Sequence, residues 1–567
     1  MELEELIRLA RGKETADLLL RNARLVEVFS GEVYETDVAV AGPYVVGFGD
    51  YQAKQEIDLK GRYLCPGFID SHVHIESSMV SIPQFAKAVV PRGTTTVVCD
   101  PHEIANVLGL EGIRYMLETS KGLPLSVYIM ASSCVPATTL ETSGAELSAA
   151  DLSPLFEEER VIGLAEMMNY PGVLFGVPEV LDKLRAAKGR PIDGHAPGLS
   201  GRDLAAYVAA GIGSDHECTT MEEAREKLRL GMYIMIREGT MSRNLRDLLP
   251  LVTPKSARRC MFCTDDRHPA DLLDEGHIDY LVRTAIGMGL DPITAIRMAT
   301  LNPADYFGLA DRGAIAPGYR ADMVVFDSFE DLDIEMVFCA GKPVAREGEM
   351  LPEVSIPSPP VPPSTMNVNW EKVDLRISAE GKRAKIIGLI PHQIVTKRMV
   401  EEIKVENGLA VADVERDILK IAVIERHKGT GNVGLGFVRG FGLKRGALAS
   451  SVAHDSHNII VVGTNDEDMM SAAKEVAAMG GGLVATEGGK VRARLPLPIA
   501  GLMSDRPIEE VKAEMDTLSE AAWEMGSKLY DPFMALSFLA LPVIPELKLT
   551  DKGLVDVNQF RIVSLFE

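Results

Sequence analysis

Eight short apolar runs between about residues 65 and 310 each carry polar residues toward their C-terminal ends, and helix-patterned stretches lie between them. They are YLCPGFIDSHVHI, TTTVVCDPH, LSVYIMASS, RVIGLAEMM, RPIDGHAP, AGIGSDHE, YIMIREGT and CMFCTDD. Between them lie segments such as LGLEGIRYMLETSKG, PEVLDKLRAAKG and MEEAREKLRLG, with apolar residues at helical spacing. Strands alternating with helices demand a parallel sheet, because parallel neighbours need a crossover connection. Eight such units predict an α/β fold, a closed (β/α)8 barrel over residues 65–310.

The rest of the chain frames that unit. Residues 1–64 and 311–350 share a texture of short Val- and Leu-rich strands punctuated by Gly and Asn, and predict the two parts of one small β-sandwich. Residues 351–369 carry six prolines, Pro352, Pro357, Pro359, Pro360, Pro362 and Pro363, and read as a semi-rigid linker. Residues 370–567 mix strand-like ILKIAVIER and NIIVVGT with helix-like EDMMSAAKEVAAMG, which predicts a separate α+β domain.

Composition narrows the partners. The 567 residues carry a net charge of −23. Such a surface repels phosphate backbones and anionic membranes, so neither nucleic acid nor a membrane is expected as a partner, while an uncharged nucleobase remains admissible. The seven cysteines imply no disulfide framework, and the acidic start MELEELIRLA is not expected to be a secretory leader. With no run of eighteen apolar residues, a cytoplasmic protein is expected. A homo-oligomer is also expected.

In a parallel barrel the C-terminal strand ends converge on one mouth. His72 and His74 end the first run, Asp100 and His102 the second, Glu166 the fourth, His195 the fifth, His216 and Glu217 the sixth, Arg237 and Glu238 the seventh, Asp265 and Asp266 the eighth. His72 and His74 stand two apart on a strand and face the same way, so both imidazoles can reach one ion. By itself an H-x-H pair is weak; with Glu166, His195, His216 and Asp265 on the same rim it becomes a candidate metal centre. Imidazole with carboxylate suits Mn or Fe, with Zn also acceptable.

Other signals carry less. Gly429, Gly431 and Gly434 match a dinucleotide-binding spacing, but no strand–loop–helix context surrounds them, and a Gly-rich loop is expected. Cys260 and Cys263 form a lone C-x-x-C inside a strand and lack the second pair of a zinc ribbon. His454 and His457 are split between a hydrogen-bonded turn and a role at the mouth. His268 and His277 are expected on the surface or in loops, and Asp266 and Glu238 as solvated acids.

The segments GFIDSHVHIESSM, VCDPHEIANVLG, GLAEMMNYPGV, GHAPGLSG, GSDHECTT, FCTDDRHP and VAHDSHNIIVVG together resemble the adenine deaminase family of the amidohydrolase superfamily, over essentially the whole chain. The resemblance implies two divalent metal ions. His72, His74 and Asp265 would hold one and His195 and His216 the other. Glu166 would bridge them where many relatives use a carboxylated lysine. It implies hydrolysis of adenine to hypoxanthine and ammonia by metal-activated hydroxide, with Asp265 moving the proton. Glu217 is the candidate for hydrogen bonding to the purine or its amine, and His102 a second candidate contact. A relative acting on another cyclic amide or amidine, and a metal-free scaffold, are the alternatives. The scaffold ranks last, because every ligand position is filled.

Overall fold

The computed structural model describes residues 1–390 and 393–567. Eight parallel strands run through the middle of the chain: β1 (Phe68–Val73), β2 (Thr94–Cys99), β3 (Ser126–Ala131), β4 (Val161–Met167), β5 (Ile192–Gly194), β6 (Ser214–Asp215), β7 (Tyr233–Arg237) and β8 (Cys260–Cys263). Strands such as TTTVVC and CMFC are buried at every residue, which is why they read as unbroken apolar runs rather than alternating ones.

The closed barrel expected from these runs is not formed as a continuous ladder. Hydrogen bonds join β1 to β5 in one five-stranded sheet and β6 to β8 in a three-stranded one. At one seam, Val73 bridges Asp265, and the Asp265 N–H donates to the His72 carbonyl at 3.0 Å. At the other, between β5 and β6, the described residues form no ladder. β6 is only two residues long, and the carboxylate of Asp215 takes the place of a backbone acceptor, receiving the Ala196 N–H at 2.9 Å. Buried Lys227 holds that carboxylate at 2.9 Å.

The flanking β segments also differ from the expected sandwich. The strands from Ala16 to Pro66 and from Met323 to Met350 form one nine-stranded sheet. Its seam is Tyr63–Pro66 antiparallel to Met323–Phe326. One sheet results because the long strand Ala16–Glu27 pairs along one edge with Glu32–Ala41 and along the other with Ala53–Asp58 and then Tyr63–Pro66. The first apolar run is thus split between two sheets at Gly67. A Cβ there would lie 2.2 Å from the Thr95 hydroxyl, so only glycine lets the chain cross so close to β2.

No helix or strand interrupts residues 351–369. Beyond them, an eight-stranded sheet has the central strands Ile418–Ile424, Ile459–Gly463 and Ala447–Ser450. Alternate residues serve opposite cores. Ala422, Ile424 and Val461 pack with Met469, Ala472 and Val476 of the helix Asp466–Ala478. Ile421, Val423 and Val462 share a core with Val511, Leu518 and Ala522 of the helix Ile508–Glu524. Among the described residues no helix is long and apolar enough to cross a membrane.

This last unit docks over the C-terminal ends of the parallel strands. The Ser504 N–H donates to the Met79 carbonyl at 2.8 Å, and His268 Nδ1 lies 2.8 Å from Asp531 Oδ2. His268 is therefore buried, contrary to the surface position expected of it. His277 is buried as well, with Nε2 3.0 Å from Asp70 and Nδ1 2.9 Å from the Thr94 hydroxyl. Glu238 is buried too and accepts the Leu245 N–H at 3.1 Å. In all three the partner is distant in sequence or on the backbone, which the sequence does not display.

Candidate metal centre

The side chains at the strand ends meet in one small buried cavity. His74, His102, Glu166, His195, His216, Glu217 and Asp265 line it, and His72 stands behind His74. Each position follows from the parallel sheet, whose strands all deliver their C-terminal residues to the same side. Asp265, just past β8, adopts a left-handed backbone with φ of +58°, a conformation most side chains avoid and functional sites tolerate.

Two donor groups share Glu166. In the first, His74 Nε2 lies 3.2 Å from both Glu166 Oε1 and Asp265 Oδ1, and 3.1 Å from His72 Nε2. His72 Nε2 is 3.4 Å from Asp265 Oδ1. In the second, Glu166 Oε2 lies 2.7 Å from His195 Nδ1 and 3.3 Å from His216 Nε2.

Proton accounting shows what the first group fits. His74 Nδ1 is 3.0 Å from the Asp100 carbonyl, to which it can only donate. In the neutral ring the proton is then on Nδ1, and Nε2 presents a lone pair to His72, Glu166 and Asp265. A lone pair converging on two carboxylates is repulsive unless a cation stands among them. An imidazole whose remote N–H is fixed by a carbonyl is the usual support of a metal ligand. The residues present therefore fit a divalent cation. Glu166 fits a bridging role, with one oxygen in each group.

Electrostatics keep the acids ionised. Burial alone would raise the Asp265 carboxyl, but the Arg237 guanidinium outweighs it and holds the group well below the usual carboxylate range. Burial is likewise outweighed at Glu166, by His195 and His216. From the sequence, Arg237 stands out only as a strand end. It donates at 2.7 Å to Asp265 Oδ2 and also pairs with both oxygens of Glu217. Its place on β7, matching the ligands on neighbouring strands, was the available signal.

Residues 63–344 match the amidohydrolase family, and residues 393–561 match the adenine deaminase C-terminal domain. The adenine deaminase of Desulfatibacillum aliphaticivorans is 57% identical over 566 residues, covering 100% of both chains. Adenine deaminase 2 of Carboxydothermus hydrogenoformans is 54% identical over 567 residues, covering 99% of each. The adenine deaminase of Methanothrix thermoacetophila is 51% identical over 570 residues, covering 100% of each. The chain belongs to the adenine deaminase family.

In this adenine deaminase family member, the matched C-terminal region contributes to the cavity wall. Ile394, His454, Asp455, Phe538, Leu541 and Ile544 roof it. Lys548, fully buried, donates to the carbonyls of Ile394 and Phe538 at 2.7 and 2.9 Å and so ties two roof segments together. Through Glu217, Arg237, Ser242, Ile394 and Ile544 the small cavity adjoins a larger one of about 970 Å³.

His102 opens the helix His102–Leu108, with Nδ1 2.9 Å from Asp100 Oδ2 and 3.5 Å from Glu166 Oε1. Asp266, expected to be solvated, lines the cavity wall beside Ser77, whose hydroxyl donates to it. The two demoted motifs stay out of the site. The glycines from 429 to 434 lead into an antiparallel strand, not a helix, and Glu425 fixes their loop by accepting the N–H groups of Lys428 and Thr430 at 2.6 and 2.8 Å. Cys260 and Cys263 are buried free thiols.

Proposed function

We propose that this chain hydrolyses adenine to hypoxanthine and ammonia, a purine-salvage reaction, with two divalent metal ions at the shared carboxylate. The observation that carries the reading is Glu166, whose two oxygens face separate histidine sets. His72, His74 and Asp265 would hold one ion, His195 and His216 the other, and Glu166 both. The mixed nitrogen and carboxylate donors suit Mn or Fe, and accept Zn. When bound, such ions bring the pKa of a shared water to about 7.

The chain's own residues do the remainder. Asp265, ionised beside Arg237, accepts the proton that water releases as its oxygen adds to C6 of the purine. That carbon becomes tetrahedral, bearing hydroxyl and amine. Asp265 passes the proton to the amine, which leaves as ammonia. Glu217 is positioned by Arg237 to hydrogen-bond the amine or a ring nitrogen, and His102 to contact the purine from the β2 side. The apolar roof of Ile394, Phe538, Leu541 and Ile544 excludes competing water.

For the architecture, we read β1–β8 as the family's metal-dependent (β/α)8 barrel over 65–310. Residues 1–64 and 311–350 then form the flanking β unit, 351–369 the linker and 370–567 the C-terminal domain. Metal analysis coupled to an ammonia-release assay tests the reading. Full activity should coincide with about two divalent ions per chain. A fully active preparation holding one ion or none would overturn it.

A further inference from the structure

One buried imidazole in the cavity wall has no assigned task. His454 and His457 both close on the carboxylate of Glu103, in the first turn of the helix His102–Leu108. His454 Nδ1 lies 2.5 Å from Glu103 Oε1, and His457 Nε2 contacts Glu103 Oε2. All three side chains are buried, and they join the C-terminal region to the parallel-sheet region.

Backbone partners assign the protons. The Ala453 N–H donates to His457 Nδ1 at 3.1 Å, so that nitrogen carries a lone pair. The His457 proton is then on Nε2, where it donates to Glu103. Glu103 accepts from His454 Nδ1 in the same way. What remains is His454 Nε2, which is buried and has no hydrogen-bond partner among the described residues. Its ring lies in the wall of the cavity that also contains Glu166, His216 and Asp265. Stacking on Phe538, at 4.5 Å between centroids and 15° between planes, holds that ring in place.

Glu103, His454 and His457 also lie close enough together to suggest a third metal ion. The proton assignment argues against it, because the His457 nitrogen facing the cluster has no lone pair to give. A buried polar atom without a partner calls instead for a ligand that supplies one.

We propose that His454, aimed by Glu103 and supported by His457, hydrogen-bonds a ring nitrogen of the purine through Nε2, so that the C-terminal region contributes a direct substrate contact. The proposal rests on the deaminase reading above. Burial opposes a charge on His454, but Glu103, with Asp266 and Asp455 nearby, raises it above the ordinary histidine value to about 9. At neutral pH Nε2 is then a donor, suited to the lone pair of a purine nitrogen. A cationic donor there draws electron density from the ring and makes C6 easier to attack.

The test uses the full-length, metal-loaded protein with adenine, 3-deazaadenine and 7-deazaadenine as substrates and 1-deazaadenine as a competing ligand, in the parent, His454→Ala and Glu103→Gln forms. His454→Ala should lower kcat/KM for adenine about 10- to 100-fold. One deaza analogue, lacking the contacted nitrogen, should lose a similar factor in the parent, read as kcat/KM or, for 1-deazaadenine, as affinity, and lose nothing further in His454→Ala. Glu103→Gln should show the same indifference to that analogue with a smaller loss on adenine, and both variants should keep the parent's metal content. Equal losses on every substrate would mean a structural role and overturn the proposal, as would an unchanged His454→Ala. A metal equivalent present in the parent and lost in Glu103→Gln would replace the substrate contact with a third ion. If the parent itself releases no ammonia from adenine, the deaminase reading fails instead.

Discussion

Replacing Arg237 with Met should destabilise the strand-end cluster more than any single ligand change. Arg237 is buried, and its guanidinium serves two buried carboxylates at once, Asp265 at 2.7 Å and both oxygens of Glu217. Methionine keeps much of the volume but leaves Asp265 and Glu217 without the guanidinium that lies against both. Removing one partner of a buried ion pair costs about 3–5 kcal/mol. For a unit of this size, roughly 2 °C of Tm per kcal/mol gives a fall of about 6–10 °C in metal-free protein. Bound cations would neutralise part of the exposed charge, so the loss should shrink in metal-loaded protein. Arg237→Lys, which cannot span both acids with two parallel bonds, should fall between. The assay is thermal unfolding with and without Mn, alongside Glu217→Gln and the Arg237→Met/Glu217→Gln pair. The double variant should be more stable than the sum of the single effects by about 0.5–3 kcal/mol. Strict additivity, or an Arg237→Met Tm within about 2 °C of the parent, would refute the argument that this guanidinium neutralises both acids.

Asp265→Asn should keep the fold while losing about three or more orders of magnitude in ammonia release, because the amide neither accepts the water's proton nor carries charge; near-parental turnover would remove Asp265 from proton transfer. On a panel of adenine, adenosine, guanine and cytosine, adenine should be preferred and guanine, with oxygen at C6, should release no ammonia from that position. Because Ile394, Phe538 and Leu541 cover the small cavity, adenosine should react at least about tenfold more slowly than adenine; equal rates would show that ribose passes into the neighbouring 970 Å³ cavity. The His268–Asp531 pair should make docking pH-dependent. Burial opposes both charges, yet each partner raises His268 and lowers Asp531 relative to their ordinary values. The His268 contribution is fully present below its unfolded value and is lost as pH rises through the raised folded one; the Asp531 contribution is lost as pH falls through its depressed one. Asp531→Asn should therefore cost more Tm at pH 6 than at pH 10, and an equal cost at both would show that the pair is not ionic.

The positions of His72, His74, Glu166, His195, His216 and Asp265 were legible because two local patterns sufficed. Apolar runs alternating with helices make the strands parallel, and parallel strands bring their final residues to one edge. The ring of strands was less legible. The run AGIGSDHE yields only the two-residue β6, Ser214–Asp215, and nothing local shows that the Asp215 carboxylate takes the place of a backbone acceptor. The first run, YLCPGFIDSHVHI, hides a change of sheet at Gly67 that only the proximity of Thr95 explains. His268, His277 and Glu238 looked solvent-facing because a lone polar residue discloses its burial only through its partner. Those partners are Asp531, Asp70 and a backbone amide. A C-terminal domain over the mouth was foreseeable, but the residues of the roof were not, since Ile394, Phe538 and Ile544 are apolar residues in segments with no chemical signature.

The roof also sets a timetable for synthesis. Asp265, the last of the strand-end ligands in chain order, is made long before Phe538, Leu541 and Ile544. At about 5–20 residues per second the interval is roughly 15–55 s. Through that interval a nascent chain can fold its parallel strands and gather every imidazole and carboxylate of the cluster, while the lid that will cover them does not yet exist. Ions can reach the ligands from open solvent during this time and only later through the finished enclosure. Maturation in a metal-poor medium and later reloading of the finished protein are therefore not equivalent events. The first meets an uncovered bowl; the second must pass beneath a roof.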